Sequence, residues 1–213
     1  MKGILLEGIC GAGKTSVFRK LMQLTCKTAP DAFISISQQY SQRMFEHIRP
    51  QISIHEVLKM YEPLLTHLKS LDSQFKGSVF VKHPRRSNIE PKFLVESTHL
   101  NCIIEFSISK NPAIDKVTCE FSQLGGTVVF LTVPEDQILE RCITSTRLLR
   151  SIGWAEYLKE LSDNDNDLVE IMLARQATLR SYLEENKIRY VTINTGTKSW
   201  NHIARSCMKL MEL

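Results

Sequence analysis

The sequence predicts an α/β fold with a largely parallel sheet of about five strands and helices on both faces, and three observations carry that prediction. Short apolar runs alternate with longer stretches in which apolar residues recur every three or four positions, as successive strand–helix units of a parallel sheet require. The first run ends in a glycine-rich segment containing a lysine and leads straight into a helical stretch. The 213 residues are 43% hydrophobic and 23% charged, enough apolar material to close the core of one domain, 1–213, without a disulfide or metal staple. The same composition excludes disorder, collagen-like sequence and low-complexity linkers as descriptions of the chain.

Lys2 to Glu7 reads as the first strand, and Thr15 to Thr25 as a helix with Val17, Phe18, Leu21 and Leu24 on one face. Ala32 to Ser37 is a second strand, favoured by its isoleucines. From about Ser53 to Phe75 a helical pattern runs through Ile54, Val57, Leu58, Tyr61, Leu65 and Leu68, interrupted by Pro63. Ser78 to Lys82 reads as extended, and His83 to Asn88 as an exposed basic loop. Phe93 to Glu96 is a third strand and Thr127 to Val133 a fourth, stopped by Pro134. Glu135 to about Arg150 reads as a basic helix, with a break beginning at Ser151. A polar turn at Asp163 to Asp167 precedes a helix from Leu168 to about Asn186, then a fifth strand from Arg189 to Asn194 and a closing helix from Trp200 to Met211.

A formal net charge of +4 is too mild to call for a nucleic-acid or membrane partner, and neither is expected. Cys10, Cys26, Cys102, Cys119, Cys142 and Cys207 lie far apart, with no zinc-type spacing, and read as free thiols. No apolar run reaches the roughly 18 to 20 residues of a membrane span, and Met1 to Glu7 has no leader pattern. A cytoplasmic protein is the expectation.

Gly8-Ile9-Cys10-Gly11-Ala12-Gly13-Lys14-Thr15 fits G-x-x-x-x-G-K-[ST], between a strand and a helix as that motif requires. Its glycines open backbone conformations in which N–H groups of Gly11, Ala12, Gly13 and the following Lys14, Thr15 and Ser16 turn toward phosphate oxygens at the positive end of a helix. Lys14 can reach the β- and γ-phosphates of a nucleotide and Thr15 can ligate Mg²⁺. A GTPase base-reading N/T-K-x-D is absent at the right place, where Asn111-Pro112-Ala113-Ile114-Asp115 has the wrong residues.

Three further segments resemble the P-loop nucleoside and nucleotide kinases, the thymidylate and deoxynucleoside kinases among them. Phe93-Leu94-Val95-Glu96-Ser97-Thr98-His99 stands where that family ends a strand in an acid followed by arginine. The resemblance implies that Glu96 meets Mg²⁺ or acts as a base, while Ser97 replaces the arginine that holds phosphate. Pro134 to Arg150 resembles the helix leading into the family's lid, here about 141–156, and implies that Arg141, Arg147 and Arg150 bear on the donor phosphates. Arg147 and Arg150, three apart, would share a helix face; a solvated basic face is the plainer reading. Asn194-Thr195-Gly196-Thr197 resembles the loop that contacts adenine through its main chain, which assigns Thr195 and Gly196 to the nucleotide, or else it is a plain turn.

The resemblance thus implies a three-layer P-loop NTPase fold, ATP and Mg²⁺ as cofactors, and transfer of the γ-phosphoryl to a nucleoside or nucleoside monophosphate. Lys14, Glu96, Arg147 and Arg150 would be catalytic. Deoxynucleoside kinases place a glutamate at the end of the second strand; this chain has Gln38-Gln39-Tyr40, and an amide cannot take a proton as a base. Gln38, Gln39, Tyr40 and Arg43 can still line an acceptor pocket, with His99 beside it, although each also reads as ordinary surface or core. Two alternatives stay open: a kinase of another small alcohol, such as an antibiotic or metabolite, and a nucleotide-binding regulatory module with little transfer. A homodimer is possible for such a fold.

Overall fold

The computed structural model of the chain describes residues 1–28, 33–41, 53–82, 90–105, 111–150 and 152–211. Five strands, β1 (Lys2–Glu7), β2 (Phe33–Ile36), β3 (Lys92–Glu96), β4 (Gly126–Thr132) and β5 (Tyr190–Asn194), form one sheet in the order β2-β3-β1-β4-β5. Every neighbouring pair is parallel, with Leu5 opposite both Val95 and Val128. The three central strands are buried along nearly their whole length, whereas β2 and β5 at the edges are half-buried. Sequence and position agree, since strands covered on both faces read as continuous apolar runs. All strands therefore end on one side, where the connecting loops gather the polar residues.

Helix α1 (Lys14–Thr28) leaves the glycine loop and buries Val17, Phe18 and Leu21. After the short α2 (Gln38–Ser41), the expected helix over 53–75 is two helices, α3 (Ile54–Lys59) and α4 (Glu62–Gly77). Pro63 sits in the first turn of α4, where its missing N–H costs nothing. Ser53 and Glu56 close α3 with a reciprocal capping box. Ser78 to Lys82, expected to be extended, instead holds the helical turn α5 (Val79–Lys82). The basic loop over His83 to Asn88 lies outside the described residues.

Two helices that the apolar periodicity did not single out follow β3, namely α6 (Asn101–Glu105) and α7 (Pro112–Gln123). The Asn111-Pro112 pair that fails as a GTPase motif is the start of α7. Asn111 Oδ1 accepts from Ala113 N at 2.9 Å and Ile114 N at 3.4 Å, and Pro112 fills the first helical position.

The segment after β4 is not one helix. A 3₁₀ turn over Glu135–Gln137 passes into a π-helix over Leu139–Thr144 and then α8 (Ser145–Leu149). The expected break after Ser151 is instead helix α9 (Ile152–Leu161). Asn164 caps α10 (Asp165–Glu185), and α11 (Trp200–Leu210) closes the chain against α1. All six cysteines are free. Among the described residues no helix is long and apolar enough to cross a membrane.

Candidate active site

The glycine loop is closed by contacts that only glycine permits. Gly11 and Gly13 have φ of 79° and 92°, in the left-handed region that side chains disfavour. A Cβ on Gly11 would lie 2.6 Å from the Arg141 carbonyl oxygen, and one on Gly13 would lie 2.6 Å from the Trp200 indole. Gly8 passes under the Leu131 carbonyl, and Ala12 is wholly buried. Lys14 Nζ folds back over the loop, donating to Gly8 O at 2.5 Å and Ile9 O at 3.1 Å. Burial lowers the Lys14 pKa, opposed chiefly by the charge of Glu7.

Glu96 ends β3 buried and faces this loop. Thr15 Oγ1 donates to its Oε1 at 2.5 Å and Gln38 N–H donates to Oε2 at 3.2 Å. Side chains 81 residues apart in the sequence thus meet at the loop. The Ser41 hydroxyl donates to the Glu96 carbonyl, so α2 is fastened to the end of β3. Ser97 takes φ of 56°, a strained value for serine, and its buried hydroxyl has no partner among the described residues.

Glu7, at the end of β1, was not marked by any motif. Its Oε1 accepts from Thr98 N at 2.6 Å and from the Thr98 hydroxyl. Burial outweighs those bonds and pushes its pKa up to about 7. The carboxyl therefore ties the exit of β3 to the strand that bears the glycine loop. The signal available was position alone: an acid closing an otherwise apolar central strand needs a buried partner.

His99 belongs to the core, which corrects its expected place beside an acceptor pocket. It is fully buried, stacked on Phe121 at 5.5 Å and edge-on to Tyr61 at 5.7 Å. Its Nε2 lies 2.7 Å from Thr118 Oγ1.

The three arginines of the basic stretch part company because the helix that was to align them changes pitch. The π-turn aims Arg141 inward, where Nη1 donates to Thr195 O at 2.9 Å and Gln137 Oε1 at 3.2 Å. Its Nη2 donates to Thr195 Oγ1 at 2.9 Å and Gly11 O at 3.1 Å. Arg141 thus ties the glycine loop to the end of β5. Arg147 points away and pairs with Asp165 at 2.6 Å; it is not on the cleft wall, contrary to the expectation that it closes on the phosphates. Arg150 has extended backbone just past α8, which frees it from the Arg147 face, and its guanidinium lies 4.6 Å over the Trp154 ring. Arg141→Ala is expected to cost about 3 kcal/mol of stability, since it strips charged hydrogen bonds from buried carbonyls; urea unfolding followed by circular dichroism measures it.

These elements enclose a cleft of ≈ 360 Å³ over the carboxyl ends of the strands. The glycine loop, Lys14, Thr15 and Ser16 form its floor; Gln38, Asn101 and Ile104 stand at the β2–β3 end, and Lys198 and Trp200 at the β5 end. Arg150, Trp154, Tyr157, Met172 and Arg175 line it as well. Its wall holds five cations, Lys14, Arg141, Arg150, Arg175 and Lys198, and no carboxylate among the described residues.

Several expected contacts shift by a few residues. Thr195 is buried beneath Arg141, and Gly196 packs against Pro134, so that Lys198 and Trp200 take the place on the wall given to that loop. Gln38 is on the wall, whereas Gln39 and Tyr40 are exposed and off it. Arg43 lies outside the described residues. Arg175 and Lys198 escaped the sequence reading because each sits in an amphipathic or turn segment with no phosphate motif around it.

No family model matches the sequence, and no curated protein matches it. Among solved structures, the YorR protein of Bacillus subtilis, in complex with phosphorylated GDP, superposes with a TM-score of 0.59 at 13% identity, covering 100% of this chain and 96% of that one. Shikimate kinase from Acinetobacter baumannii, in complex with shikimate, gives 0.45 at 18% identity over 99% and 93% of the two chains. Thymidylate kinase from Ehrlichia chaffeensis gives 0.49 at 10% identity over 99% and 98%. The end-to-end match to YorR, the parallel β2-β3-β1-β4-β5 sheet and the glycine loop opening into α1 establish that this chain has the α/β P-loop NTPase fold.

Proposed function

We propose that the protein is a small-molecule kinase that moves the γ-phosphoryl of MgATP to a nucleoside or nucleoside monophosphate. The observation that carries this reading is the wall of the cleft, where five cations gather over the glycine loop. Such a surface suits several phosphates at once, where charge must be neutralised as the phosphoryl group transfers. The YorR structure, which shares the fold, holds a phosphorylated guanine nucleotide.

In this reading Lys14 exchanges the carbonyls of Gly8 and Ile9 for phosphate oxygens and neutralises charge on the transferring group. Arg150 closes over the phosphates from the lid, and Trp154 keeps its guanidinium oriented while the cleft excludes water. Lys198 and Trp200 stand at the end that would receive the base of the donor. Thr15 and Glu96 supply one hydroxyl and one carboxylate at the loop, and no group of three or more His, Cys, Asp or Glu meets elsewhere among the described residues. That sparse oxygen set fits Mg²⁺, which takes one or two protein ligands and completes its shell with phosphates and water. When bound, the ion would draw charge from the phosphate oxygens.

The test is ADP formation from ATP and Mg²⁺ with a panel of nucleosides, nucleoside monophosphates and small alcohols. Turnover that depends on an acceptor and falls about 100-fold or more in Glu96→Ala is the expected result. ATP binding with no acceptor-dependent turnover would instead favour a regulatory nucleotide-binding module.

A further inference from the structure

The net charge of +4 is mild but unevenly placed. Six of the 27 lysines and arginines, and none of the 23 aspartates and glutamates, lie in α1 and α11. The rest of the chain is therefore slightly acidic, and the whole positive excess sits in these two helices. We propose that their outer face is a docking surface for a nucleic-acid duplex, held through its phosphate backbone without reading of sequence. The inference does not depend on the kinase reading.

The fold brings the two helices together as one outer layer. From β1 the chain crosses through α1 to β2 at one edge, whereas every later crossover steps the other way across the sheet. With right-handed crossovers, α1 therefore lies on the face opposite α4, α7 and α10. Helix α11 packs along α1, and both start at the glycine loop, where Trp200 lies against Gly13. Their apolar sides are spent on the core, through Val17, Leu21, Ile203 and Cys207.

Lys14 is turned into the cleft, which leaves five cations for the layer. Arg19, Lys27, Arg205 and Lys209 are exposed and Lys20 is half-buried, with the exposed His202 among them. None of the five pairs with a carboxylate among the described residues. On a solvated helix, acids four residues away would offset such charges. Here the residue four from both Arg19 and Lys27 is the neutral Gln23, and the residue four from Arg205 is Lys209. That like-charge repulsion is relieved only by an outside anion.

Spacing and surroundings choose the anion. Arg19 and Lys27 stand about 12 Å apart along α1, Arg205 and Lys209 about 6 Å apart along α11, on axes about 8–10 Å from each other. No single small anion meets all of them, whereas a duplex, with one charge per roughly 1.7 Å of its axis, presents several phosphates to such a face. None of the large exposed apolar side chains is on α1 or α11. The face thus lacks the apolar centre of a protein interface and the apolar side that seats a helix in a membrane. Phosphate contacts need only cations and hydrogen-bond donors.

Fluorescence anisotropy of a labelled DNA duplex of about 20 base pairs, titrated with the full chain, tests the proposal. Wild type is expected to bind at about 50 mM salt and to lose about 100-fold in affinity by about 200 mM, as contact with about four phosphates requires. A duplex of unrelated sequence should bind within about twofold. Combining Arg19→Gln, Lys27→Gln, Arg205→Gln and Lys209→Gln should weaken binding at the lower salt by about 100-fold and flatten the salt dependence. Lys59→Gln with Lys116→Gln, exposed cations of the opposite layer, should change it by less than about twofold. Saturating ATP with Mg²⁺ should not displace the duplex. Should the fourfold variant fail to fold, Arg19→Gln with Arg205→Gln must still weaken binding about 10-fold. Displacement by ATP would put the duplex in the cleft, and equal losses in the two sets of variants would make the attraction a matter of overall charge. Either result overturns the proposal. So does failure to bind duplex at about 50 mM salt, or binding only to vesicles of phosphatidylserine and phosphatidylcholine.

Discussion

Lys14→Ala is expected to lower kcat/KM by about 1000-fold or more while leaving the fold in place. The size of the loss follows from where the charge sits. Lys14 is the one cation on the cleft floor, folded over the glycine loop by the carbonyls of Gly8 and Ile9. A preorganised cation in a site that excludes water contributes several kcal/mol to a transition state that gathers negative charge. Those carbonyls would be traded for phosphate oxygens when nucleotide binds, so the loss should fall mainly on kcat. Nucleotide affinity should fall less, because Gly11, Ala12 and Gly13 keep their backbone N–H groups. Stability should not fall with it, since burial already disfavours the charged form of Lys14 and removing the ammonium relieves that cost. Steady-state kinetics with ATP titration and thermal melting of both proteins check the three parts. Unchanged kcat in a folded Lys14→Ala protein would remove Lys14 from the chemistry.

Much of this site was legible in the sequence because its parts are local. A glycine loop between a strand and a helix is written in eight consecutive residues, and the burial of β1, β3 and β4 in unbroken apolar runs. Glu96 was legible for a related reason, as an acid closing such a run at the end where parallel strands present ligands. What stayed hidden depends on geometry that no short window holds. Arg141 is set apart by a π-turn and Arg150 leaves the Arg147 face because α8 ends before it, whereas three-residue spacing predicts a shared face only on a continuous α-helix. Helix α7 begins in the stretch weighed as a base-recognition motif, although Asn111-Pro112 was a helix start all along. Arg175 is visible only once α10 is packed beside α6. His99 carries the same lesson in reverse: a polar residue next to motif residues looks functional, yet it is defined by the buried partners it finds across the fold.

His99→Phe is expected to flatten the acid limb of the stability curve, by on the order of 3 kcal/mol between pH 6.5 and 4. The hydroxyl of Thr118 donates to Ile114 O at 2.9 Å, so it must accept from His99 Nε2–H, and the ring is assigned as the neutral Nε2–H tautomer. Its Nδ1 is then a buried acceptor with no partner among the described residues. Burial lowers the pKa to about 3 from an ordinary 6.5. The sign follows directly. Below pH 6.5 the unfolded chain takes a proton on His99 that the folded chain refuses, so stability present above that pH is lost as the pH falls toward 3. Glu7 acts in the opposite sense. Its carboxyl stays protonated in the fold up to about 7, so stability present at pH 4.5 is lost as the pH rises to 7. The two slopes oppose each other between about pH 4.5 and 6.5, and single variants separate them: His99→Phe should remove the loss toward acid, and Glu7→Gln the loss toward neutrality. Phenylalanine keeps the stack on Phe121 and the edge contact with Tyr61, and Thr118 keeps its bond to Ile114, so a folded variant is expected. Urea unfolding of the three proteins at pH 4 to 8 measures both slopes, and the carboxylates they share cancel in the comparison. Parallel curves for wild type and His99→Phe from pH 6.5 to 4 would show that this histidine is not held neutral in the core.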